Sequence, residues 1–142
     1  MLKYVLRIAL SASLGLAATT ASALDTSQPL LCAVTQVQEC VDGSDCQTVL
    51  PEEVNAPTFI RVDMKKKEIR SRKAGKPTSI DVHEAVKGRL VLMGADQGNE
   101  NQPDGGGWVM SIEEDTGRFA GTMVLRQAAI NIFGACTEPF FD

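Results

Sequence analysis

Apolar residues recur at every second position in short runs along most of the chain after residue 31. Turn-forming residues separate the runs, among them Asp42-Gly43, Lys87-Gly88 and Asp115-Thr116-Gly117. Alternation with a period of two is typical of β-strands, and no segment shows helical periodicity with capping residues. The pattern predicts strands at about residues 32–41, 46–50, 57–63, 67–72, 79–86, 88–94, 107–112, 117–125 and 128–136.

The same alternation assigns side chains to the two faces of each strand. Trp108, Met110 and Ile112 share one face of their strand. Several predicted strands are apolar on both faces, so a flat sheet would expose large apolar patches. Consecutive hairpins favour an all-β, antiparallel, up-and-down meander that closes into a small barrel, with a β-sandwich as the alternative. The last strand is predicted to line one face with Ala128, Ile130, Ile132, Gly134 and Cys136.

Residues 1–23 have the organisation of a cleavable signal peptide. Lys3 and Arg7 precede an apolar run at about residues 8–18, and the small-residue triplet Ala21-Ser22-Ala23 follows. A cationic start, a short apolar middle and an A-x-A-like end are the three parts of a secretory signal. The alternative is an uncleaved anchor helix, for which the apolar run is short. We therefore expect export, with the mature protein starting near Leu24.

The remaining residues are enough for one domain. We expect a flexible leader at residues 24–31 and a single β domain at residues 32–142. The mature chain has no other apolar stretch long enough to span a membrane, so we predict no transmembrane segment in it. The signal predicts a location outside the cytoplasm.

All four cysteines lie in the mature chain, which an oxidising compartment would convert into two disulfides. Cys40 and Cys46 flank an Asp-Gly reversal that brings them opposite each other, so we pair them. This pairing leaves Cys32 with Cys136, a bond that would tie the first strand to the last. The spacing fits no zinc site, and C-x-x-C is absent.

The charge of the chain is unevenly distributed. Lys3 and Arg7 lie in the signal, which leaves 12 basic and 18 acidic side chains, a net charge of about −6. Residues 61–76 nevertheless carry about +6, so the rest of the mature chain carries about −12. Such a segment is a candidate site for an anion or a partner, or it guards an exposed edge against aggregation. Its cations are Arg61, Lys65, Lys66, Lys67, Arg70, Arg72, Lys73 and Lys76.

Overall acidity and the lack of aromatic residues among these cations argue against nucleic-acid binding. His83 is the only histidine, and the alternation places it beside Asp81 on the wetter face of its strand. Strand neighbours of this kind do not make a catalytic triad by themselves, and G-x-S-x-G is absent. We therefore predict an exposed sheet residue at position 83 and no catalytic residue.

Residues 96–107 form a long polar segment rich in Asn, Asp and Gly. Its oxygen atoms are of the type that calcium prefers, but their spacing does not match an EF-hand. The three glycines at residues 105–107 precede no helix that would form a phosphate cradle. We predict a flexible hairpin loop here, with no metal and no cofactor.

Six segments of the mature chain carry short structural motifs: Cys32-Ala33-Val34, residues 39–46, residues 57–63, residues 107–112, residues 115–119 and residues 132–137. Together they resemble a family of small exported proteobacterial proteins of uncharacterised function. The resemblance covers most of the mature chain, and its motifs are structural. It implies a Gram-negative source and a periplasmic address, so we expect the periplasm as the location and the extracellular space as the second choice. It brings no activity.

These observations favour a non-enzymatic periplasmic β-domain that binds an envelope component or a partner protein. Export, disulfides, a basic segment and the lack of a catalytic signature motivate this hypothesis. One alternative is a carrier that holds a small apolar ligand inside the barrel. Another is a hydrolase that uses carboxylates near residues 96–104.

Overall fold

A computed structural model describes residues 23–71, 76–98 and 105–139. Within these ranges the protein contains β-strands and turns and no helix. The strands follow the predicted alternation closely. They are β1 (Leu30–Val41), β2 (Gln47–Val49), β3 (Phe59–Asp63), β4 (Glu68–Ser71), β5 (Thr78–Ser79), β6 (Val82–Val86), β7 (Arg89–Asp96), β8 (Gly106–Glu113), β9 (Arg118–Val124) and β10 (Ala128–Thr137).

The strands form one strongly curled, antiparallel sheet with the shape of a half-barrel. Their order is β5-β4-β3-β1-β10-β9-β8-β7-β6, and β2 pairs with the second half of β1. The strands at the two ends of this order, β5 and β6, are consecutive in the chain. At the junction between them, the Ile80 N–H donates to the Lys67 carbonyl (2.8 Å) and the Asp81 N–H donates to the Met93 carbonyl (2.9 Å). The predicted all-β, barrel-like meander is confirmed.

Three details differ from the predicted strands. The segment 79–86 is divided into β5 and β6 because its pairing partner changes from β4 to β7. The register between β1 and β10 shifts between Val34 and Gln36, which marks a β-bulge in β1. Because of this extra residue, the inward-facing side chains are those of residues 32 and 34 before the bulge and of residue 37 after it. Strand β1 begins at Leu30, inside the expected leader, because this buried leucine fills the inward position two before Cys32.

The first residues of the expected leader also contact the domain. The Leu24 N–H donates to the Glu114 carbonyl at 2.7 Å, and the Leu24 side chain packs against the core. The Asp25 N–H donates to the Glu138 carboxylate at 2.6 Å. These contacts place the residues before β1 next to the β8–β9 turn and the end of β10.

The core is made by inward-facing side chains from strands all around the curl. Two glycines lie opposite aromatic residues on neighbouring strands: Gly94 faces Trp108, and Gly134 faces Phe119. A Cβ at Gly94 would lie 2.6 Å from the Trp108 ring, and one at Gly134 would lie 2.6 Å from the Phe119 ring. Both rings therefore lie close over the backbone of the strand beside them. The buried core residues are Leu30, Cys32, Ile60, Val62, Ile80, Leu90, Leu92, Met110, Ile112, Phe119 and Cys136.

Two disulfides join the pairs expected from the sequence. Cys32 of β1 bonds to Cys136 of β10, which are directly opposite in the register, and Cys40 bonds to Cys46 across the β1–β2 turn. The first bond joins residues 104 positions apart, so it connects the two ends of the domain. Within the described ranges, no helix has the length and apolarity needed to cross a membrane.

Candidate functional site

Two of the predicted basic residues face each other on the outer surface of the sheet. Arg61 of β3 and Arg70 of β4 are direct partners in the register of this hairpin, and both are exposed. Like charges in directly opposed positions destabilise a strand pair. The register of these strands therefore places two cationic residues side by side on an exposed face of the hairpin.

The two arginines line an open groove of about 500 Å³ together with apolar side chains. Leu31 of β1 is the register partner of Arg61, and Phe59 lies two residues before Arg61 on the same face of β3. Leu31 is 40% exposed and Phe59 is 41% exposed, which is high for large apolar residues. The groove thus has a cationic part next to an apolar part. We call these residues, with Ser71, the arginine groove (Leu31, Phe59, Arg61, Arg70 and Ser71).

The two guanidinium groups differ in their partners. Arg70 Nε lies 2.8 Å from Glu68 Oε1, and Arg70 Nη2 lies 3.3 Å from Glu68 Oε2. This bidentate hydrogen bond lowers the pKa of Glu68 and raises the pKa of Arg70 from their ordinary values. Arg61 has no ion pair or side-chain hydrogen bond with any residue of the described ranges. Arg61 is therefore the cation that is available to an incoming anion.

None of the other described cations of the predicted segment lines this groove. Lys65, Lys66 and Lys67 are exposed in the turn between β3 and β4. This turn is held by Asp63, a buried carboxylate that accepts the Lys66 N–H at 3.1 Å and lies 3.9 Å from Lys66 Nζ. Lys76 is exposed, and Arg72 and Lys73 lie outside the described residues. Of the six predicted cations that the structure describes, the groove includes two.

His83 lies in β6, where every residue is exposed. Its register partner is Leu92, so it shares a face with inward-facing residues of β7, whereas Val82 and Val86 share the outward face of Met93 and Arg89. The exposure of His83 agrees with the prediction, whereas the register with β7 places it on the inward face of Leu92 and not on the expected wetter face.

The candidate calcium segment is only partly described, since residues 99–104 lie outside the described ranges. Next to them, Asp96 Oδ1 accepts the Gly98 N–H at 2.8 Å, an arrangement of a turn. Among the described residues there is no cluster of three or more His, Cys, Asp or Glu side chains that would hold a metal ion. A ligand inside the curl would have to displace core side chains such as Leu92 and Ile112, which are fully buried.

Sequence reasoning identified the two arginines and missed their apolar neighbours. The alternation in residues 57–63 does place Phe59 and Arg61 on one face, which was an available signal. Leu31 comes from a strand some thirty residues earlier, and only the β1–β3 pairing brings it beside Arg61.

Comparison with known protein families, curated proteins and solved structures finds no match for this chain. The resemblance to small exported proteobacterial proteins stays a prediction.

Proposed function

We propose that the protein is an exported, non-enzymatic binding domain that holds an anionic amphiphile of the cell envelope in the arginine groove. The headgroup, a phosphate or carboxylate, lies between Arg61 and Arg70, and the apolar part lies on Leu31 and Phe59. The observation that carries this proposal is the directly opposed arginine pair beside two exposed apolar side chains.

The electrostatics support an anion as the ligand. An anion between the guanidinium groups replaces a repulsion with two attractions, and arginine donates paired hydrogen bonds to phosphate and carboxylate oxygens. Arg70 already makes a contact of this kind, because its Nε and Nη2 donate to the Glu68 carboxylate. A ligand headgroup would accept hydrogen bonds from all of the Arg61 guanidinium, whereas it would share the guanidinium of Arg70 with Glu68.

The apolar side chains support an amphiphile over a purely polar anion. Leu31 and Phe59 expose large apolar surfaces at the groove, and covering such surfaces is worth about 25 cal/mol per Å². A simple anion leaves this surface in water, whereas an acyl or alkyl chain covers it.

The cellular setting supports an envelope component. Two disulfides are compatible with an oxidising compartment outside the cytoplasm, and residues 1–23 have the sequence of an export signal. We place the protein in the periplasm, where the anionic lipids of the bacterial envelope are available.

Cosedimentation with lipid vesicles tests the proposal. Vesicles of phosphatidylglycerol with phosphatidylcholine should bind the protein, and vesicles of phosphatidylcholine alone should not. The Arg61→Gln substitution should lower partitioning about fivefold, since one cation near an anionic surface contributes roughly 1 kcal/mol. Lys87→Gln is the control, because it removes an equal charge from the exposed β6–β7 turn. Equal loss in the two variants, or equal binding to both vesicles, would overturn the proposal.

A competition experiment distinguishes an amphiphile with an anionic headgroup from a free inorganic anion as the ligand. Dodecyl phosphate should release the protein from vesicles, and inorganic phosphate at the same concentration should not. If both compete equally well, the apolar half of the groove has no role and the proposed ligand class is wrong.

A further inference from the structure

Strand β6 is an edge strand without cover. It pairs with β7 on one side, and within residues 23–71, 76–98 and 105–139 no strand pairs with its other side. All five residues, Val82–Val86, are exposed. An edge strand of this kind presents unpaired backbone N–H and C=O groups with which another strand can form hydrogen bonds.

The β6–β7 turn determines which backbone groups point outward. Lys87 and Gly88 have φ angles of 49° and 76°, the conformation of a two-residue type I′ turn. Such a turn closes on a hydrogen-bonded pair, here Val86 and Arg89. Because hydrogen-bonding direction alternates along a strand, Glu84 and Val82 also point their amides to β7. The amides and carbonyls of His83 and Ala85 therefore point to the open edge.

Of the features that usually prevent an edge strand from pairing with other chains, this edge has only the charge of Glu84. Residues 82–86 contain no lysine, no proline and no bulge in their register with β7. The adjoining outer surface is apolar, since Val82, Met93 and Val109 form one row across β6, β7 and β8 and are each about 40% exposed. An added strand would extend this row.

Glu84 opposes pairing of β6 with a second copy of itself. An antiparallel pair centred on residue 84 would place the two Glu84 side chains directly opposite each other. Because Glu84 points its amide to β7, this would be a non-hydrogen-bonded pair, in which the Cα atoms are about 4.5 Å apart and the side chains are closest. Like charges in that position are unfavourable, whereas a cation there is favourable. The charge of the edge therefore suits a foreign strand with a basic residue at its centre.

We propose that β6 is a docking site for an extended segment of a partner protein, which adds as an antiparallel strand. The segment has a lysine or arginine opposite Glu84 and apolar residues opposite Val82 and Val86. Its backbone bonds to His83 and Ala85. The site is separate from the arginine groove and does not depend on the function proposed for that groove.

Titration of the ¹⁵N-labelled, oxidised protein with two blocked peptides tests this site. The first peptide is Thr-Val-Thr-Lys-Thr-Val-Thr, and the second has glutamate in place of lysine. The lysine peptide should shift the amide signals of His83 and Ala85 and bind about fivefold more tightly than the glutamate peptide. The Glu84→Lys variant should reverse this preference, and because residue 84 is exposed the change leaves the core intact.

A second variant tests the backbone contact. Ala85→Pro removes a donor that points to the open edge and leaves the bonds to β7 in place, so it should abolish binding of the lysine peptide. The proposal is overturned if neither peptide shifts His83 and Ala85, or if Glu84→Lys leaves the preference unchanged. It is also overturned if sedimentation shows a dimer of the native protein that Ala85→Pro dissociates, since a second copy would then occupy the edge.

Discussion

Replacing Cys32 and Cys136 with alanine removes the covalent link between the first and last strands. The bond closes a loop of 104 residues, and in the chain-entropy model a loop of that size restricts the unfolded chain by about 4.7 kcal/mol. The Cys40–Cys46 bond spans only six positions, for which the same relation gives about 2 kcal/mol. The two double variants should therefore differ by about 2–3 kcal/mol in the free energy of unfolding.

Urea and thermal unfolding followed by circular dichroism measure this difference. For a domain of this size the long-loop variant should melt roughly 15–20 °C below the native protein, and the short-loop variant roughly 10 °C below. Each double variant replaces two cysteines with two alanines, so the two variants differ only in which disulfide is removed. If the short-loop variant proves equally or more destabilised, then Cys32–Cys136 does not stabilise the domain by joining its two ends.

Three further predictions follow from the described contacts. Gly134→Ala should destabilise the protein by about 1–3 kcal/mol in urea unfolding because its methyl group meets a backbone carbonyl and an aromatic ring, whereas Gly107→Ala, which meets no atom within 4 Å, should not. Glu68→Gln should tighten the binding of dodecyl phosphate by roughly twofold to fivefold in calorimetry at pH 7, because it releases Arg70. Because the pKa of Glu68 is lowered, its carboxylate stays ionised until the pH falls below the ordinary pKa of a glutamate. Only at such low pH does protonation of Glu68 make the native protein resemble the variant, so only there should the two affinities for dodecyl phosphate converge. Reversing the charges of lysines 65–67 should weaken vesicle association, most strongly at low salt, because they attract anionic surfaces without lining the groove.

The sequence predicts most of this fold because its signals are local. Alternation gives the strands, and turn residues such as Lys87-Gly88 give the hairpins between them. The Asp-Gly reversal between Cys40 and Cys46 is enough to choose one of three disulfide pairings. The division of residues 79–86 into β5 and β6 could not be predicted in this way. The alternation continues through these residues, although β5 pairs with β4 and β6 pairs with β7.

The candidate site depends on contacts that alternation alone does not specify. A cluster of eight cations in residues 61–76 is visible in the sequence, but only the register of β3 and β4 shows that Arg61 opposes Arg70. Leu31 reaches the groove through pairing between distant strands. The sequence also does not predict that one edge of β6 is open, because the alternating valines of this segment are typical of a half-buried strand.

Titration of the ¹⁵N-labelled protein with dodecyl phosphate, followed by amide chemical shifts, tests the proposed ligand site most directly. Shifts should concentrate at Leu31, Phe59, Arg61 and Arg70, with side-chain Nε signals of the two arginines moving together, and Arg61→Gln should weaken them. Shifts confined to the turn at residues 64–67, or spread over the core residues inside the curl, would contradict binding in the arginine groove.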